Sequence, residues 1–161
     1  MKPIGIFHRN IGPLRNFRRP RRRPMHPRPD VILVQGYFTT PASIEDLSDY
    51  MTEVGLCCSV PSLGGIGGLW QTERVVQSGQ ALADYIIGLP DDVRPWLIGH
   101  SLGGIIARYA VQLAGAAPKV KGDITVGSPH SGCRLAVVSI PLGFGFFGPA
   151  AFDLSPTSAV M

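Results

Sequence analysis

Apolar residues along the chain fall into two kinds of pattern. Val31-Ile32-Leu33-Val34 and Trp96-Leu97-Ile98 are short continuous runs, which read as strands buried on both faces, as in a parallel sheet. Leu56 to Val60 and residues 122 to 127 read as two further strands. Between them the spacing changes to helical. Ile44, Leu47, Met51 and Val54 predict a helix over about 44 to 54, with Ser43 as its cap. Val75, Val76, Ala83, Ile86 and Ile87 predict a second over about 74 to 88. A third runs from about 102 to 114. This alternation predicts an α/β fold, with a mainly parallel sheet of about four strands flanked by helices. The last strand, Ile124-Thr125-Val126, falls at an uncovered edge, which invites association.

Two segments fit neither pattern. Residues 61 to 73 form a loop around Gly64-Gly65-Ile66-Gly67-Gly68. The loop has no lysine and no dinucleotide-binding pattern, so it reads as a flexible connection and not a phosphate cradle. Residues 135 to 152 carry no charge over 18 positions, near the lower limit for a membrane span. Pro141, Pro149, Gly143, Gly145 and Gly148 oppose a regular helix there, so no transmembrane helix is expected. Three readings stay open for it: a lid or pocket wall, core lacking its partner, or membrane contact.

Charge divides the chain in two. Residues 1 to 29 hold nine Lys/Arg, no Asp/Glu and six prolines, whereas the remainder holds six Lys/Arg against 11 Asp/Glu. The high pI therefore belongs to an arm. Arg18-Arg19-Pro20-Arg21-Arg22-Arg23 has no apolar periodicity and too little apolar surface to offset its ordering entropy, so residues 1 to 29 read as disordered. Residues 30 to 161 read as the folded domain. The arm is either a solvated leader or a contact for an anionic surface, with no specific nucleic acid implied. No apolar run follows the arginines, so no secretory or twin-arginine signal is expected, and a cytoplasmic location is the default. Cys57, Cys58 and Cys133 lack metal-ligand spacing and are expected as buried free thiols. No metal, nucleotide or flavin cofactor is expected.

The chemistry concentrates at Gly99-His100-Ser101-Leu102-Gly103-Gly104. Strand, then G-x-S-x-G, then helix is the context of a nucleophile elbow. The turn forces its serine into a strained conformation. Gly99 and Gly103 are needed because side chains there would clash with the turn or the packed helix. The serine hydroxyl then stands clear of the sheet, beside a helix N-terminus that favours negative charge. A nucleophile that attacks an ester carbonyl requires that placement. Upstream, the run through Val34 and Gln35 ends at Gly36-Tyr37, where the chain must turn.

The chain resembles the α/β-hydrolases, and within them bacterial triacylglycerol lipases and related esterases. The matching pieces are Val31 to Tyr37, Leu97 to Tyr109, and Ile124 to Gly132 (Ile-Thr-Val-Gly-Ser-Pro-His-Ser-Gly), with a weaker echo at Asp153 to Ser158. Ser128 stands where the family segment has threonine, and Gln35 where such enzymes commonly carry histidine before the glycine. The resemblance implies Ser101 as nucleophile of a serine carboxylic-ester hydrolase acting through an acyl-enzyme on a small-molecule or lipid ester. It implies an oxyanion hole from the backbone amides of Tyr37 and Leu102.

The family order then calls for an acid and a histidine after later strands. The histidines here are His8, His26, His100 and His130. The first two lie in the arm. His100 flanks the serine and is expected to be packed and hydrogen-bonded. His130 is the remaining candidate base, Asp153 a candidate acid, and Asp123 falls at the wrong end of its strand. The expectation is a C-terminally truncated hydrolase. The alternative is a hydrolase-like domain without activity of its own, acting at most as a binding module. Arg108 is expected to be a structural charge.

Overall fold

The computed structural model describes residues 28–36, 44–64, 74–133 and 150–159. Four strands lie within these: β1 (Val31–Val34), β2 (Cys58–Ser59), β3 (Trp96–His100) and β4 (Gly122–Val126). They form one parallel sheet in the order β2-β1-β3-β4. The helices are α1 (Glu45–Glu53), α2 (Val75–Ile87), α3 (Leu102–Gln112) and α4 (Ala150–Asp153).

All four residues of β1 are buried, as its unbroken apolar run predicts for a strand covered on both faces. The pleat sends alternate residues to opposite sides. Ile32, Val34 and Leu97 join the core that α2 and α3 build with Leu82, Ile86, Ile105 and Ile106. Val31 and Leu33 pack on the other side with Ile44 at the start of α1, and half-buried Ile98 joins them. Helices thus lie on both faces.

The register brings strand ends together. Val34 pairs with Gly99 and His100 with Val126, so β1, β3 and β4 finish at the same level. In open parallel sheets, ligands bind beyond these carboxyl ends.

Three details depart from the sequence reading. On α1, Ser48 is buried while Leu47 and Val54 are exposed. The inward stripe is therefore 44/48/51 and not 44/47/51/54. Both stripes have helical spacing, and the smaller Ser48 lets the helix approach the sheet. Ile44 is the N-cap of α1 and makes no side-chain cap bond, and Ser43, the expected cap, lies outside the described residues. On α2, Val76 and Ile87 are exposed, and the buried stripe uses Ser78, Gly79 and Leu82 instead. Strand β2 shrinks to two residues because it pairs on one side only, with β1.

Among the described residues, the edge of the sheet is where the sequence places it. Strand β4 ends the sheet, with Ile124 45% and Val126 52% exposed. Cys57 is exposed and Cys58 and Cys133 are half-buried, so they are not the buried thiols expected. Cys57 sits just before the edge strand, held by its backbone: its carbonyl accepts from Asp30 N–H at 2.8 Å. The segment 135 to 152 and the loop 61 to 73 lie mostly outside the described residues, as does the arm through residue 27. Among the described residues, no helix is long and apolar enough to cross a membrane.

Candidate active site

Ser101 is the sole non-glycine residue with positive φ among the described residues, at φ 53° and ψ −122°. A side chain at such angles costs on the order of 1–3 kcal/mol and persists only where its surroundings enforce it. The enforcing bonds are visible. Ser101 N–H donates to Val126 O at 2.9 Å, and Ser101 O accepts from Gly104 N–H at 3.1 Å. One bond ties the serine to the end of β4 and the other closes the first turn of α3.

The glycines explain why the turn can be so tight. A Cβ on Gly99 would lie 2.5 Å from Gly104 Cα, and one on Gly103 would lie 2.1 Å from Val34 O. Strand β3 and the helix that follows it, and that helix and β1, touch backbone to backbone. Gly36 extends the pattern: its Cβ would fall 3.1 Å from Ser101 Cβ. The turn after β1 therefore runs directly beside the serine. Leu102 is the first residue of α3 and is buried, and N–H groups of a first helical turn lack intrahelical acceptors. Tyr37 lies outside the described residues.

His100 is exposed, contrary to the packed, hydrogen-bonded position expected of it. It lines a cleft of about 250 Å³ with Gln35, Gly36, Ile44, Leu47, Ile98 and Val126. The last residue of β3 points to the α1 side, and α1 stops short of covering β4, so the ring faces solvent.

His130 lies on the opposite side of the sheet. Its Nε2 is 3.0 Å from Thr125 Oγ1 and its Nδ1 is 3.3 Å from Arg108 Nη1. Arg108 also donates to His130 O at 3.4 Å. Arginine has no lone pair to offer, so Nδ1 accepts and Nε2–H donates to Thr125. Both ring nitrogens are thus engaged away from Ser101. Asp123 shares this face of β4. It keeps an exposed surface, yet partial desolvation pushes its carboxyl above the usual carboxylate range, with nearby His130 and Arg108 opposing the shift. Among the described residues, Ser101 Oγ makes no side-chain hydrogen bond.

Asp153 has a structural task. It is 1% exposed, accepts the Val75 N–H at 2.7 Å and pairs with Arg74 Nη2 at 2.6 Å. It caps α2 from 78 positions away. Sequence reasoning missed this, and also missed the Arg108–His130 pair and the isolation of Gln35. Local spacing carries no signal for any of them. Among the described residues, no three His, Cys, Asp or Glu side chains lie together as a metal site would require.

The fold has counterparts among known proteins. The family model described as a PGAP1-like alpha/beta domain matches residues 85–139, which span β3, the elbow, α3 and β4. No curated protein matches the sequence. Among solved structures, the mature lipase BlEst2 of Bacillus licheniformis superposes with a TM-score of 0.67 at 19% identity, over 86% of this chain and 59% of that one. A metagenomic carboxyl esterase, MGS0156, gives 0.63 at 17% identity, over 78% and 42%. The monoacylglycerol lipase of Paleococcus ferrophilus gives 0.53 at 20% identity, over 72% and 48%. The chain thus spans less than two thirds of the length of each. With four parallel strands, helices on both faces and a serine at the strand-to-helix turn, the chain has a partial α/β-hydrolase fold of the kind that lipases and esterases build.

Proposed function

We propose that the chain is the elbow-bearing part of a serine carboxylic-ester hydrolase, with Ser101 as nucleophile. The observation that carries this reading is the backbone of Ser101. A serine at φ 53° and ψ −122° is strained in a way that an ordinary strand-to-helix turn has no use for. The strain holds Oγ at the carboxyl ends of β1, β3 and β4, against the N-terminus of α3. Attack on an ester carbonyl there would place the developing oxyanion beside the Leu102 amide. The second donor in this reading is the amide of Tyr37. Two such donors would supply several kcal/mol of transition-state stabilisation. The carbonyl–alkoxy bond then breaks, the alkoxy group leaves as the alcohol with the proton that Ser101 Oγ gives up, and water hydrolyses the acyl-enzyme to the carboxylic acid and restores the serine hydroxyl. The apolar walls of the neighbouring cleft, Ile44, Leu47, Ile98 and Val126, favour acyl-chain or lipid esters over highly charged ones. His130 takes no part in this reading, because Thr125 and Arg108 hold both of its ring nitrogens.

A second reading, a hydrolase-like domain that binds without turnover, draws support from the unpartnered Ser101 Oγ. Intact-mass measurement after exposure to an activated short-chain ester separates the two. A single acyl adduct, mapped to Ser101, supports the nucleophile. A folded chain with no adduct at any concentration of ester favours the binding domain.

A further inference from the structure

Besides Ser128, Gln35 is the described residue near the elbow whose side chain holds a buried polar atom without a hydrogen-bond partner. It is 3% exposed, and its Oε1 is buried with no hydrogen-bond partner among the described residues. An isolated buried acceptor costs about 1–3 kcal/mol, so its retention calls for a reason. Position supplies one. Val31 and Leu33 face the α1 side of the sheet and Ile32 and Val34 the other. The next residue in the alternation, Gln35, returns to the α1 side. It lines the same cleft as Gly36 and His100, the two residues that flank Ser101 in space and in sequence. The other lining side chains are Ile44, Leu47, Ile98 and Val126. Gln35 and His100 are thus the polar side chains of an otherwise apolar wall, and a few placed polar groups in such a wall fix a ligand's orientation and identity.

We propose that the Gln35 carboxamide is a specificity-determining group, accepting a hydrogen bond from a hydroxyl of the ester that Ser101 attacks. The inference rests on the nucleophile reading and sharpens it from esters in general to hydroxyl-bearing esters, such as monoesters of a polyol. Oε1 is buried within the wall, so the carboxamide would turn toward the cleft to meet a bound hydroxyl, satisfying Oε1 while the apolar part of the ligand is buried on Ile98 and Leu47. A ligand without the hydroxyl would fill the same walls and leave the acceptor unmet. Discrimination then comes from the penalty on the wrong ligand as much as from attraction to the right one.

The test needs no turnover. The 161-residue chain is titrated with 1-O-hexylglycerol, an ether that no esterase can cleave, and with hexyl propyl ether, which lacks the hydroxyls. Affinity and the NMR shift of the Gln35 side-chain amide are read together. Wild type is expected to prefer the glycerol ether roughly five- to tenfold, with the Gln35 amide shifting only for that ligand. Gln35→Leu is expected to bind both ethers equally, without weakening hexyl propyl ether. Ser101→Ala is expected to keep the wild-type preference, which separates this proposal from the nucleophile: loss of acylation leaves the preference intact. Equal affinities in wild type, a preference that survives in Gln35→Leu, or a Gln35 amide that ignores the glycerol ether would each overturn it. If Gln35→Leu fails to fold, the amide shift in wild type decides alone.

Discussion

The carboxylate of Asp153 accepts the backbone N–H of Val75 at 2.7 Å, fastening the short helix α4 to the first turn of α2 across 78 positions of sequence. The bond is buried and charge-assisted, and it satisfies one of the donors that every helix N-terminus leaves open. Asp153 therefore belongs to the scaffold under the site and not to the reacting groups.

Asp153→Ala is expected to destabilise the chain by about 2 kcal/mol, the sum of a lost cap and a lost charged hydrogen bond being limited by relaxation. Urea midpoints measure it. Arg74→Ala should matter far less, because the Arg74 side chain is 52% exposed and exposed ion pairs contribute little. Equal losses for the two would show that the ion pair, and not the cap, is what Asp153 supplies.

Backbone contact at the elbow leaves no room for a methyl group. Gly103→Ala would press Cβ to 2.1 Å from Val34 O, and neither backbone has a flexible end that can yield. A loss of at least about 3 kcal/mol is expected, together with loss of any Ser101 reactivity. Gly115→Ala is the control. Its φ is +83° but nothing lies near its Cβ, so about 1 kcal/mol is expected.

Stability should respond to pH through Asp123. Partial desolvation raises its carboxyl pKa above the ordinary 3.8, with His130 and Arg108 opposing. A raised folded-state pKa means the native state binds the proton more tightly than the unfolded chain. Its contribution is therefore fully present below pH 3.8 and is lost as pH rises through the higher folded value. Asp123→Asn removes this dependence. The difference in urea midpoint between variant and wild type should grow in the variant's favour as pH rises from 3 to about 6, and a flat difference would argue against it.

The two ring nitrogens of His130 are held by Arg108 and Thr125, on the far side of β4 from the cleft. A general base contributes roughly 10²–10⁴-fold to a reaction. Replacing His130 with Phe is expected to change the rate of Ser101 modification by less than about threefold, while lowering stability. A fall of a hundredfold or more, in a variant that stays folded, would make His130 the base.

Most of the framework can be read from local pattern. The unbroken run Val31–Val34 announces a doubly covered strand because only a covered strand tolerates four consecutive apolar residues, and β1 is that strand. Gly99 and Gly103 announce the elbow because the close approaches they allow are local. What escapes the sequence is non-local. Ile44 begins two helical stripes of equal spacing, and only the distance to the sheet selects the one through Ser48. Asp153 reads as a lone acid until α2 is placed beside it. Gln35 reads as a strand-end polar residue, and its missing partner is a property of everything around it.

Modification of Ser101 by a fluorophosphonate tests the central claim most directly. The purified chain and Ser101→Ala are incubated with the probe under native conditions, and adducts are located by peptide mapping. Labelling confined to Ser101 and absent from Ser101→Ala is expected, because the strained elbow presents that hydroxyl beside a helix N-terminus. A chain shown to be folded by circular dichroism that takes no label, or takes it equally after Ser101→Ala, would contradict the assignment of Ser101 as the nucleophile.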